Sequence, residues 1–285
     1  MKKLGKHLPA AFLILCTLAF AVYFYQSNSD VDTTAPEIRF AKESISLSVY
    51  DGEETLLSGV TAEDDCDGDV SASLVVEGIS AISDDHTATV TYAAFDSAGN
   101  VTKASRKLTY TDYSGPRYSL SAPMLFRSGY NFDILDYLAV SDPIDGDLTD
   151  KIKATLVSGG SSITEEGMHE VEVRVTNSMG DTSRLTLPVE VFPVGTYNAE
   201  LKLKDYLIYI EKDSTFLPKD YTDTFSTGYL EYSLEDPASN AITLDITNDV
   251  NTSVPGTYCV TYTASRDTYT ACTRMIVIVE DSHHA

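Results

Sequence analysis

Basic residues are scarce in this 285-residue chain: 20 Lys and Arg stand against 43 Asp and Glu, a formal net charge of −23. Nucleic-acid binding needs clustered cations that release counterions from phosphate, so nucleic acid is not expected as a partner. The same negative field keeps a protein soluble and tolerates divalent cations. Histidine is scarcer still, with five in all, of which only His86 and His169 lie away from the ends. His169 stands beside a glycine and reads as an edge-strand side chain rather than a base. HExxH, GxSxG, a Walker loop and a dinucleotide fingerprint are all missing, and no insertion offers the walls of a pocket. The chain is therefore expected not to be an enzyme. Beyond residue 30 no stretch sustains a helical period, which leaves strands as the building element. Disorder is excluded by a 43% hydrophobic content rich in Tyr, Val, Ile and Thr.

The long apolar run that is present lies at the start. Lys2, Lys3 and Lys6 precede an uncharged stretch from Leu8 to Tyr25, the pattern of an export segment. Ala19-Phe20-Ala21 offers a small-x-small cleavage site, and cleavage would secrete the remainder. The run continues through Val22, Tyr23, Phe24 and Tyr25, which favours a retained anchor with an aromatic interfacial edge. The expectation is a cell-membrane protein crossing once, N-terminus inside, with secretion after cleavage as the alternative.

Apolar alternation of period two follows in many short runs, among them Ser44-Ile-Ser-Leu-Ser-Val, Ala88-Thr-Val-Thr-Tyr-Ala, His169-Glu-Val-Glu-Val-Arg-Val and Met275-Ile-Val-Ile-Val. Such runs bury one face and wet the other, as two sheets packed face to face require. The pattern also repeats. Asp-Gly-Asp ending at Asp69 returns at Asp147, and Val90, Val171 and Val260 sit in matching strands about eighty residues apart. Each of those strands leads through a polar turn into a strand entered by Arg106, Arg184 or Arg274. Gly and Pro punctuate the chain near 112–116 and 192–196. The expected organisation is a hydrophobic N-terminal helix over 1–30, then three domains over 32–112, 113–194 and 196–281.

The first module carries Thr34-Ala-Pro-Glu-Ile, then Asp67-Gly-Asp-Val-Ser, then Val90-Thr-Tyr-Ala running into Asp96-Ser-Ala-Gly-Asn-Val-Thr. It resembles the bacterial surface immunoglobulin-like repeats, which also occur in a pesticidal crystal protein and look similar to hyaline-repeat modules. The second module keeps most of that pattern. The third departs at the acidic loop, where Leu234-Glu-Asp-Pro-Ala replaces Asp-Gly-Asp, and regains it at Pro255-Gly-Thr-Tyr-Cys-Val-Thr-Tyr-Thr-Ala. The resemblance implies an all-β fold of three tandem immunoglobulin-like β-sandwich domains acting as spacers or binding modules, with no catalytic residue to carry over. The chain has no tryptophan, so the Trp-on-disulfide core of antibody domains is absent and the likeness is architectural.

Two clusters could carry chemistry. Hard, closely spaced oxygens around a glycine turn are what calcium takes, which makes Asp65, Asp67, Asp69, Asp145 and Asp147 candidate ligands. The spacing is not that of an EF-hand loop, and Asp-Gly is equally an ordinary turn dipeptide whose Asp caps backbone amides. No other cofactor is indicated. Cys259 and Cys272 flank one hairpin; folded about Ser265-Arg266, they would face each other closely enough for a disulfide, with two buried free thiols as the alternative. Tyrosines, eighteen in all, are most crowded at Tyr206-Leu-Ile-Tyr-Ile, Tyr221, Tyr229 and Tyr232, a choice for a sugar-stacking face if packing does not claim them. The function expected is that of a non-catalytic extracellular surface protein whose modules serve as spacers, adhesion or protein-interaction units, the third being the recognition element. A polysaccharide-binding accessory protein is the alternative. The partner expected is a surface protein or glycan, with the membrane contacted through the N-terminal segment.

Overall fold

The computed structural model describes residues 8–29, 32–83, 87–160, 162–236 and 241–281, and in the N-terminal helix the side chains of 12–24. His7, His86, His283 and His284 fall outside these residues. An N-terminal helix, Leu8–Ser29, is followed by a chain that is almost entirely β.

Three β-sandwiches follow in tandem, each a three-stranded sheet facing a four-stranded one. In the first, Glu37–Phe40, Val60–Asp64 and Gly68–Asp69 make the small sheet, while Ser44–Leu47, Val101–Tyr110, Thr87–Phe95 and Val75–Ile79 make the large one in that order. The second repeats this with Arg117–Leu120, Leu138–Asp142 and Gly146–Asp147 against Leu125–Arg127, Thr182–Phe192, Gly167–Thr176 and Lys153–Ser158. The third does so with Glu200–Leu203, Thr222–Ser226 and Glu231–Ser233 against Leu207–Glu211, Tyr269–Glu280, Gly256–Arg266 and Thr243–Asn248.

In every copy the chain begins in the small sheet, breaks after a few residues, and crosses to pair in parallel with the last strand of the large sheet. In the second copy the break holds Pro123, which has no N–H to continue the ladder. All other pairings are antiparallel, and the period-two pattern sets their register. Val171, Val173 and Val175 point inward against Leu185, Leu187, Val189 and Val191 of the partner strand. Each such side chain stabilises the fold by about 1.5–3 kcal/mol on burial.

The chain divides into two compact units: Met1–Leu47, Asp51–Ser80 and Asp84–Tyr110 form one, and Ser48–Tyr50, Ala81–Ser83 and Thr111–Ala285 the other. The second and third sandwiches thus belong to one unit. Leu207 and Ile276 of the third are buried in the core of the second, with Tyr209 and Ile278 packed beside them. Polar contacts reinforce the join. The backbone N–H of Tyr118 donates to the Tyr209 hydroxyl at 2.8 Å, Arg117 stacks over the Tyr209 ring at 4.7 Å, and Arg117 pairs with Glu280 at 2.6 Å. Arg274 and Glu190 form a second pair at 2.5 Å, each largely shielded from water.

The expected membrane crossing is corrected here. Among the described residues no helix is long and apolar enough to cross a membrane.

The disulfide expectation is corrected too. The hairpin of the third sandwich turns at Asp267-Thr268, with Arg266 opposite Tyr269, not at Ser265-Arg266. Asp267 takes positive φ, 54°, which a two-residue hairpin turn demands and a short Asp side chain tolerates. The shifted turn sets Cys259 opposite Ile276 and Cys272 opposite Thr263. The thiols are offset by four residues, roughly 13 Å along the strand, and all four cysteines are free.

The repeat alignment through arginine also shifts. Val90 pairs with Arg106, Val171 with Leu187 and Val260 with Met275. Arg106 is therefore a core position of the first sandwich and has no counterpart in Arg184 or Arg274.

Candidate functional site

The acidic loops of the first two sandwiches are built alike from the sequence upward. Three residues link the strand ending at Asp64 to Gly68, and three link Asp142 to Gly146. Gly68 and Gly146 close these loops at φ 72° and 73°, the left-handed geometry that a three-residue hairpin places at its bulge and that glycine adopts at least cost.

Asp64 Oδ1 accepts the amides of Cys66 and Asp67, both at 2.9 Å, and Asp142 Oδ1 accepts those of Ile144 and Asp145 at 2.8 and 2.9 Å. Asp67 then reaches across to the next turn, receiving the Ser97 amide at 2.6 Å and hydroxyl at 2.9 Å; Asp145 does the same for Ser178 at 2.7 and 2.5 Å. Asp69 and Asp147 accept the amides of Ser71 and Thr149, each at 2.9 Å. The hydroxyls of Ser71 and Thr149 in turn accept the amides of Ala62 and Val140. Of the five candidate calcium ligands, Asp67, Asp69, Asp145 and Asp147 thus serve as turn-forming acceptors. Asp65 is exposed and makes no such bond among the described residues.

These bonds leave an electrostatic signature. Hydrogen bonds from Ser71, Ser178 and Thr149 hold the Asp69, Asp145 and Asp147 carboxyls below the usual carboxylate range. A carboxyl whose folded pKa is depressed stabilises the fold above the unfolded value, about 3.9, and that stability is lost as pH falls through the folded pKa. Thermal midpoints of the full chain are expected to hold from pH 7 to about 5 and to fall below about 4. Asp145→Asn, which can still accept from Ser178, is expected to lie below wild type at pH 7 and to close the gap near pH 3. A constant gap across that range would show that ionised Asp145 is not what stabilises the turn.

The loops part company at one oxygen. In the second sandwich the Asn177 side-chain amide donates to Asp142 Oδ2 at 3.1 Å and to the Tyr113 hydroxyl at 2.7 Å, and that hydroxyl donates to Asp181 at 2.7 Å. Both oxygens of Asp142 are thereby satisfied. In the first sandwich Asp96 fills the position of Asn177, opening the equivalent turn with Asn100 where the second has Asp181. A carboxylate has no N–H to give, and Asp96 accepts from Asn100 instead. Asp64 is 4% exposed, and its Oδ2 is buried without a hydrogen-bond partner. Asp32 Oδ2 is in the same condition. One donor atom from each of Asp32, Asp64, Asp65 and Cys66 lies within 4.8 Å of the others. Desolvation first, then the charges of Asp32, Asp65 and Asp64, push the Cys66 thiol up, which keeps it protonated. Sequence reasoning missed Asp32, which lies before the first strand, and placed Asp64 in the acidic cluster without naming it among the ligands; the exchange of Asn177 for Asp96 is the signal that could have found the latter.

Other candidates dissolve into packing. His169 is buried rather than on an edge strand; its Nε2 lies 2.6 Å from the Glu165 carbonyl. Gly159 makes the room, since a Cβ there would stand 2.3 Å from the Met168 carbonyl and 2.8 Å from His169 Nδ1. The tyrosine cluster is dispersed: Tyr209 joins the sandwiches, Tyr206 and Tyr221 pack on the third core, and Tyr232 lies under Arg266 at 4.0 Å, leaving Tyr229 exposed. A cleft of about 430 Å³ in the second unit is lined by Leu125, Arg127, Tyr197, Leu201, Tyr206 and Cys272. Burial pushes both of its reactive groups up, Tyr197 to about 12 and the Cys272 thiol above its ordinary value, so neither is charged near neutral pH.

No family model matches the chain, so the resemblance seen in sequence stays at the level of an immunoglobulin-like repeat fold. A protein of Acholeplasma phage L2, described as an uncharacterized 81.3 kDa protein, is 33% identical over 111 residues, 39% of this chain and 14% of that protein. The chain therefore spans a small fraction of its relative's length. Among solved structures, the protocadherin GammaB4 extracellular domain aligns over 87% of this chain and 50% of its own at 13% identity and a TM-score of 0.20. Drosophila N-cadherin EC1-4 aligns over 70% and 58% at 13% identity and 0.22. An endo-fucoidan hydrolase of glycoside hydrolase family 107 aligns over 87% and 45% at 13% identity and 0.20. Similarity at that level extends to neither arrangement nor function.

Proposed function

We propose that this chain is a non-catalytic interaction protein whose β-sandwiches act as spacer and adhesion modules toward a surface protein or glycan. The observation that supports this most is how the polar chemistry is used. The conspicuous carboxylates tie loops to turns, the arginines seal sheets and joints, and the half-buried Cys259 and Cys272 are held as thiols. What remains is a series of firmly braced sandwiches, two of them sharing a core, with polar loops at their ends. A module of that kind transmits position and offers surface.

The test is retention without turnover. The full chain is immobilised and challenged with a panel of purified polysaccharides and surface proteins, reading both retained ligand and new reducing ends or cleaved peptide. Retention of a member of either class with no product formed is the expected result. Product that accumulates with time and scales with protein concentration would contradict the reading.

A further inference from the structure

The first sandwich has a defect that the second lacks, and the two copies serve as each other's control. Both hold a buried aspartate at the end of the same strand, and both spend its Oδ1 on the same two loop amides. The second copy completes the aspartate with an asparagine amide. The first puts a carboxylate in the asparagine's place and leaves Asp64 Oδ2 buried and unpartnered. An unsatisfied buried carboxylate oxygen costs more than an unsatisfied neutral polar group. Nor is the charge met by a side chain: no Lys or Arg among the described residues ion-pairs with Asp32, Asp64 or Asp65. Arg39, on the neighbouring strand, is taken by Glu37 at 2.8 Å and Glu63 at 2.7 Å. Asp64 and Asp65 instead line an open cleft of about 360 Å³ with Thr34, Glu63 and Arg39, which gives an ion a way in.

We propose that Asp32, Asp64 and Asp65 bind a hard divalent cation of the calcium class in the first sandwich. Three carboxylates converge within 4.8 Å, two of them carrying an oxygen that is buried and unpartnered, and a cation is the partner such oxygens lack. Oxygen donors on a loop suit calcium's flexible coordination, with water completing the shell. Cys66 offers soft sulfur, a poor ligand for so hard an ion. Among the described residues the second sandwich has no such site: the Asn177 amide, itself bonded to Tyr113, meets Asp142 instead.

Calorimetric titration of the full chain with calcium chloride tests this. The expected dissociation constant is on the order of 10⁻⁴–10⁻³ M, the weak end of the range for oxygen-ligand calcium sites. Asp64→Asn keeps the acceptor for Cys66 and Asp67 and is expected to weaken binding at least tenfold. In ion-free buffer it should unfold no lower than wild type, since the buried charge is gone; a residue with only a structural role would lose stability. Asp65→Asn, at an exposed position that cannot compromise the fold, is expected to weaken binding severalfold. Asp150→Asn, the same charge change on the second sandwich, and Cys66→Ser are expected to leave affinity unchanged. The proposal is overturned if wild type gives flat heats at 10 mM calcium, if Asp64→Asn binds like wild type, or if only zinc binds and Cys66→Ser abolishes it.

Discussion

Arg106→Ala is expected to destabilise the first sandwich by about 3 kcal/mol, as large as the loss of a buried aromatic side chain. The arginine is 4% exposed and stands where the other copies have Leu187 and Met275. Its Nε donates to the Tyr92 hydroxyl at 2.9 Å, and its Nη2 donates to the carbonyls of Leu56 and Ser58 at 2.8 and 3.0 Å. The Tyr92 hydroxyl also donates to the Leu56 carbonyl at 2.8 Å. The guanidinium further lies over Phe40 and Tyr92, 5.5 and 5.3 Å from the ring centres. Truncation would leave a cavity and strip buried carbonyls of a charged donor, each worth about 1–3 kcal/mol. Arg106→Met, borrowing the third copy's residue, restores volume but not donors and should recover less than half of the loss. Urea unfolding followed by tyrosine fluorescence checks both. A loss below 1 kcal/mol for alanine would mean that water replaces the guanidinium without penalty.

Ile276→Ala is expected to cost about 3 kcal/mol, within the range for truncating a buried isoleucine, and the loss should fall on the second and third sandwiches together. Ile276 lies on a strand of the third sandwich yet is 3% exposed within the core of the second, next to Leu207. Its removal opens a void shared by both copies, and neither can relax alone. Tyr209→Phe should act in the same direction and more weakly, because the Tyr118 amide would lose its acceptor while the ring under Arg117 remains. Hydrogen exchange of strand amides in both sandwiches is the readout. Faster exchange confined to the third would show that the shared core does not couple them.

The fold was legible because its rules are local. Alternation at Val171, Val173 and Val175 declares which face is buried, and the return of Asp-Gly-Asp declares the repeat. What escaped depended on contacts far apart in sequence. The hairpin register in the third sandwich turned on whether Asp267 would adopt positive φ, and a shift of that turn carried Cys259 and Cys272 out of register. Ile276 and Leu207 look like ordinary core residues of their own copy; nothing in period-two patterning says that their outer face is covered by a neighbour. The acidic loop was half legible. Its residue types fit calcium, but the geometry assigns Asp67, Asp69, Asp145 and Asp147 to turns and leaves the unmet oxygens on Asp32 and Asp64.

One sandwich unit is written three times, and the last two copies share an interior. Differential scanning calorimetry of the full chain, with and without Ile276→Ala, puts both statements to the test. Two transitions are predicted, one for the first sandwich and a larger one for the second and third together, and Ile276→Ala should lower the larger one alone. Three transitions in wild type, with Ile276→Ala moving only one, would contradict the shared interior.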